Sequence, residues 1–169
     1  VAPGSADARL WVVTRSRAHD AVIFDLGGVL LRNGRPGDAA LAFPGADPEM
    51  VLAAIMGPAG DDSDHPWHRL ERGEITMSEF TAAAADNLRR AGVDASAMTP
   101  AGPGPGFAFR LNAEMLALVE ALRAAGFRTG ILTNNVRELR ALWWPLADWA
   151  SLFDDIVDSH EVGVRKPNP

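Results

Sequence analysis

The chain has 169 residues, 47% of them hydrophobic, with a net charge of −6 and a pI of 5.1. That length suits one domain, or one domain with a small insertion, and is enough to bury a core. The acidic balance, with only Arg15 and Arg17 to make a basic cluster in the N-terminal arm, excludes nucleic acid as a partner. The absence of cysteine excludes disulfides and thiolate metal sites and fits a cytoplasmic location. No stretch has the length of a membrane span, and the N-terminus lacks the apolar core of a signal peptide.

Residues 1–19 read as an arm. The first strand is Ala21-Val22-Ile23-Phe24, four apolar residues running into Asp25 and the Gly27-Gly28 turn. Residues 33–106 change texture to all-helical. Asp47-Pro48-Glu49 starts a helix that ends at Gly57-Pro58. A polar loop follows, and then a short helix from Pro66 to Arg72, closed by Gly73. Thr76 and Glu79 form a capping box, with Phe80, Ala84, Leu88 and Ala91 at helical spacing behind it. Alternating Pro and Gly over residues 99–106 mark a linker, and the prolines rule out a dinucleotide-binding loop.

An α/β pattern comes next. Asn112 is expected to cap a helix with Leu111, Met115, Leu118 and Leu122 on one stripe. A strand from Phe127 to Leu132 ends at Thr133-Asn134, and a helix runs from Val136 to Trp144. A third strand spans Asp155 to Asp158, and the chain closes through Lys166-Pro167. The fold class is therefore α/β, a doubly wound parallel sheet with a small helical cap inserted after strand 1. Its core comprises residues 20–32 and 107–169, and the cap and linker occupy residues 33–106.

In open parallel sheets, ligands bind at the carboxyl ends of strands. Asp25, Thr133-Asn134 and Lys166 lie at or just beyond three such ends. Any one of them alone would be read as a turn, a cap or a surface charge. Together they offer a carboxylate nucleophile, a hydroxyl with nearby donors, and an ammonium to neutralise charge, which is the equipment of group transfer to a carboxylate.

The segments Val22–Leu30, Gly130–Asn135 and Ser159–Pro167 resemble, in order, the first three motifs of the haloacid dehalogenase superfamily. The insertion around Trp67–Ile75 resembles the helical cap of the branch containing the phosphatase domain of soluble epoxide hydrolase. This resemblance implies an aspartyl intermediate on Asp25. It implies that Thr133 holds the transferring group with Asn134 assisting, and that Lys166 stabilises the charge. Mg²⁺ would bind the Asp25 carboxylate and the Gly27 carbonyl. The implied activity is a phosphomonoesterase for a small soluble substrate.

The sequence departs from the family pattern twice. Most phosphatases of the family carry a second Asp, a general acid and base, where this chain has Gly27. No counterpart of the fourth, acidic motif occurs before Pro169, so the chain is expected to be truncated after the third motif. Strand 1 then lies at a sheet edge, open to self-association or to a complementing chain. A metal-free 2-haloacid dehalogenase and a non-catalytic, partner-dependent remnant are the alternatives. The loop bearing Asp61, Asp62 and Asp64 reads as solvated, and His160 as a surface residue. His68 and Arg69 sit on a helix that faces either solvent or the pocket. The tryptophans Trp143, Trp144 and Trp149 read as packing against the sheet.

Overall fold

The computed structural model describes residues 18–32, 43, 45–58, 60–98 and 108–168. Most of the N-terminal arm and the Pro/Gly linker lie outside these residues. The elements, in order, are β1 (Ala21–Phe24), α1 (Pro48–Met56), α2 (Pro66–Glu71), α3 (Met77–Arg90), α4 (Ala113–Ala124), β2 (Arg128–Thr133), α5 (Arg137–Trp143), α6 (Trp149–Leu152), β3 (Asp155–Asp158) and α7 (Ser159–Val162). Among them, no helix is long and apolar enough to cross a membrane.

The strands form one parallel sheet in the order β1-β2-β3. Phe24 aligns with Ile131, and Ile131 with Ile156. Successive right-handed crossovers put α4 and the α5–α6 segment on the same side of this sheet. That side is the dry one. Phe24, Ile131 and Val119 pack there with Trp143, Trp149 and Phe153. Alternation sends Ile23 and Leu132 to the other face, where both are exposed. β2 and β3 are also stitched at their amino ends. Asp154 accepts from Thr129 N at 2.8 Å, and Thr129 Oγ1 donates to Leu152 O at 2.7 Å.

The helices between β1 and α4 have their own core, in which Val51, Ile55, Leu70, Phe80, Ala84 and Leu88 surround Phe43. Their termini follow the sequence signals. Asp47 accepts from Glu49 N at the start of α1, and Thr76 and Glu79 form a reciprocal capping box on α3. Val136, from the loop after β2, completes this second core. The chain enters and leaves the helical segment side by side. Arg32 N donates to Arg110 O, and Asn112 N to Leu30 O, both at 2.8 Å.

Two expectations for α4 need correction. Asn112 stands at the N-cap position but makes no side-chain cap bond; its Nδ2 donates instead to Val29 O at 2.9 Å, tying the β1 turn to α4. The stripe is also displaced, because Val119 is fully buried while Leu118 is exposed. In an alanine-rich helix of low amphipathic contrast, neighbouring apolar residues compete for the same face, and the sheet decides between them. α6 and α7 are single turns without a sequence signature, held by tertiary contacts. As expected, Trp143 and Trp149 are buried. Trp144 lies exposed beneath the Arg140 guanidinium, 4.4 Å from its ring centre.

Trp143→Ala empties the centre of the sheet-side core and is expected to cost about 3–5 kcal/mol in urea denaturation followed by circular dichroism. The backbone donor Thr129 N, above all, and then Arg123 hold the Asp154 carboxyl below its usual range. Its contribution to stability is therefore full above the ordinary Asp pKa and lost as pH falls through the lowered value. Asp154→Asn should flatten the acid limb of the Tm-versus-pH curve.

Candidate active site

Asp25 leaves β1 at its carboxyl end, one residue past the last strand position. The turn is fixed by Leu26. Its side chain is buried in the core, and its carbonyl accepts from Leu31 N at 2.9 Å. Gly28 takes φ 75°, in the left-handed region open to glycine, and lets the chain turn sharply. Gly27 is not among the glycines with positive φ. The Asp25 carboxylate is half-exposed; Leu26 N donates to its Oδ1 at 2.7 Å.

Lys166 reaches this carboxylate from the far end of the chain. Its Nζ lies 3.0 Å from Asp25 Oδ2 and donates to Leu132 O, at the end of β2, at 2.9 Å. The ammonium thus bridges β1 and β2. The pair is open to solvent, which weakens it as a stabilising contact but leaves it accessible to substrate. Thr133 closes β2, in register with Asp158 on β3, and is buried. Among the described residues, its hydroxyl makes one long contact, 3.4 Å to Asn134 O.

The side chain of Asn134 is committed to the lysine loop. Oδ1 accepts from Lys166 N at 2.8 Å, and Nδ2 donates to Lys166 O at 3.1 Å. Both polar atoms of its side chain thus hold the Lys166 backbone. Ser159 does the same for the next residue, accepting from Asn135 N at 3.0 Å and donating to Asn135 O at 3.1 Å. Asn135 Oδ1 in turn accepts from Val136 N at 2.8 Å. The loops after β2 and β3 are in effect one hydrogen-bonded unit. All four expected residues, Asp25, Thr133, Asn134 and Lys166, come to the carboxyl edge of the sheet.

Sequence reasoning passed over Ser159, Asn135 and a charged cluster beyond them. Arg165 Nε donates to Glu71 Oε2 at 2.7 Å and its Nη1 to Asp61 O at 2.6 Å. Asp62 pairs with Arg72 and accepts from Asn168. The acidic loop is therefore not simply solvated, since the Asp62 side chain is only 8% exposed. His160 is not a surface residue. It is buried, with Nδ1 2.8 Å from Asp158 Oδ1, and burial pushes the Asp158 carboxyl up against the pull of His160. His68 does not face solvent. It is buried inside the helical segment, its Nδ1 accepting from Ser63 N at 3.1 Å, while Arg69 is exposed and paired with Glu74. One signal was available in the sequence. Lys166 is the only lysine among sixteen Lys and Arg residues, so every other cation is an arginine.

Mg²⁺ needs hard oxygen donors and commonly takes one or two carboxylates, with phosphate and water completing an octahedron. The Asp25 carboxylate and the Gly27 carbonyl are donors of that kind, at exposed positions. Among the described residues, no group of three His, Asp or Glu forms a closed metal cage. By donor type, the Asp25 carboxylate and the Gly27 carbonyl suit Mg²⁺ as two oxygen ligands of an open site.

The haloacid dehalogenase-like hydrolase family model matches residues 19–169. Acyl-CoA dehydrogenase family member 10 of Mus musculus is 29% identical over 171 residues, covering 94% of this chain and 15% of that protein. Bifunctional epoxide hydrolase 2 of Mus musculus is 27% identical over 162 residues, covering 86% of this chain and 28% of that protein. The chain thus spans well under a third of the length of these relatives. Among solved structures, a dehalogenase superposes with a TM-score of 0.55 at 17% identity, covering 92% of this chain and 69% of that one. The HAD family enzyme bt-2542 of Bacteroides thetaiotaomicron, in complex with magnesium and inorganic phosphate, gives 0.51 at 17% identity, covering 89% and 74%. At these identities the structural likeness speaks for the fold. With the family match running through β1, the helical segment and the Lys166 loop, this chain belongs to the haloacid dehalogenase-like hydrolases.

Proposed function

We propose that the chain hydrolyses small phosphomonoesters through a covalent phosphate on Asp25. The observation that carries this reading is the Lys166–Asp25 pair, 3.0 Å apart at the carboxyl ends of adjacent strands and open to solvent. A carboxylate held there beside an ammonium, with Thr133 at the end of the neighbouring strand, is equipped for attack on phosphorus.

In the first half-reaction an Asp25 oxygen bonds to phosphorus and the ester P–O bond breaks. Thr133 holds an oxygen of the phosphoryl group, and Lys166 offsets charge on nucleophile and phosphate. In the second, water attacks phosphorus, inorganic phosphate leaves and the Asp25 carboxylate is restored. Mg²⁺, held by Asp25 and Gly27, would reduce the repulsion between carboxylate and phosphate. Position 27 has no side chain to protonate the leaving group, so the alcohol takes its proton from solvent. Esters of acidic alcohols are then the favoured substrates.

A metal-free dehalogenase is the second reading. Gly27 favours it, because displacement of halide needs no general acid, and a dehalogenase is among the structural neighbours. The two readings separate cleanly: halide release persists in EDTA, whereas phosphatase turnover disappears.

With Mg²⁺, p-nitrophenyl phosphate should be turned over, and both Asp25→Asn and EDTA should abolish the activity. No turnover from a folded chain would sink the phosphatase reading. Gly27→Asp, at a backbone position without positive φ, should supply the missing proton donor. Turnover of an alkyl phosphate should rise by about a hundredfold or more, and that of p-nitrophenyl phosphate far less. Equal effects on both substrates would contradict the role assigned to position 27.

A further inference from the structure

Arg165 and Asn168 flank Lys166-Pro167, and both are held by the helical segment. Arg165 donates to Glu71 and to the Asp61 carbonyl, with Asp62 Oδ1 at 3.7 Å from its Nη1; Asn168 donates to Asp62. The charges balance, with Glu71 and Asp62 facing Arg72 and Arg165, and all four side chains are at most 12% exposed. Burial raises the Glu71 carboxyl, and Arg165 draws it back down. Nearby, Gly73 (φ 70°) lets the turn after α2 lie against α7, where an added Cβ would meet His160 O at 2.7 Å. The helical segment therefore touches the loop after β3 by close backbone contact as well as by charge.

Buried ion pairs are a poor way to glue two surfaces, because apolar residues of similar size often hold them as well or better. What ions add is geometry, since each fixes the direction of its partner. Here the direction matters, because Asn134 holds the N–H and C=O of Lys166 itself, whereas Arg165 and Asn168 on either side are tied to the helical segment.

We propose that Glu71, Asp61 and Asp62 grip Arg165 and Asn168 on either side of Lys166, so that the seating of the helical segment determines whether the ammonium reaches Asp25. Arg165 is then a positioning residue. Its consequence for turnover rests on the hydrolase reading of Asp25; the grip itself does not.

Because Lys166 is the only lysine, acetylation by acetic anhydride followed by peptide mass spectrometry reports on that one side chain. In Arg165→Met and in Glu71→Gln, acetylation of Lys166 should quicken several-fold, and the double variant should add little to the larger single effect. Arg165→Met should lower Tm more than Glu71→Gln, because it leaves a buried carboxylate unpaired while Arg165 would keep the Asp61 carbonyl and Asp62. Asn168→Ala, an exposed position, tests the same grip without threatening the fold and should quicken acetylation more modestly. Where the wild type turns over substrate, kcat should fall as acetylation quickens, while KM changes less. Unchanged acetylation in folded Arg165→Met and Asn168→Ala would overturn the proposal, as would faster acetylation with an unchanged kcat. A wild type without turnover whose Lys166 is nonetheless protected by the grip would sink the hydrolase reading alone.

Discussion

Lys166 brings its ammonium to within 3.0 Å of the Asp25 carboxylate, 141 positions earlier in the sequence, and much of the structure can be read from that contact. The two residues meet only because β1 and β2 run parallel and end side by side, with Lys166 anchored on the Leu132 carbonyl between them. Parallel pairing in turn needs a crossover, and α4 supplies it by packing Val119 against the same face that Phe24 and Ile131 present. The exposed side chain at the strand end and the buried one just before it are thus two consequences of a single alternation.

The polar residues around the pair work mainly on the backbone. Asn134 holds Lys166, Ser159 holds Asn135, and Asn112 holds Val29. Each fastens one loop at the sheet edge to another, so that Thr133 and Asp25 sit on a frame of short, locked turns rather than on long flexible loops. Groups held in place in this way lose little freedom when a ligand arrives. The helical segment adds a second core, whose boundary is sealed by Val136 from the sheet side and by the Arg165–Glu71 pair. Apolar contact and ion pairing divide the interface between them.

Much of this organisation is legible in the residues alone. β1 is marked by four apolar residues and two glycines, α1 and α3 by Asp47-Pro48 and the Thr76–Glu79 box, and the site by polar residues at strand ends. What escaped has a common physical origin. Nothing in the spacing of Asp62, Arg72, Glu71 and Arg165 tells that they meet, because the loop and α2 come together with the chain's end only through tertiary packing. The burial of His160 depends likewise on Asp158 beside it and on the Gly73 turn above it. α6 and α7 are too short to carry a periodicity. In α4, Leu118 and Val119 are both apolar, and only the position of the sheet decides which is buried. Lys166 itself was legible, because it follows the third strand end as Asp25 and Thr133 follow the first two.

The proposed hydrolysis turns on a covalent bond between the Asp25 carboxylate and the phosphoryl group it receives. The most direct measurement is to quench the chain in acid during turnover of p-nitrophenyl phosphate, reduce the acyl phosphate with borohydride, and locate the resulting homoserine by peptide mass spectrometry. Homoserine is expected at position 25 and nowhere else, and none in Asp25→Asn. Turnover with an unmodified position 25, or with the modification on another carboxylate, would contradict the proposal.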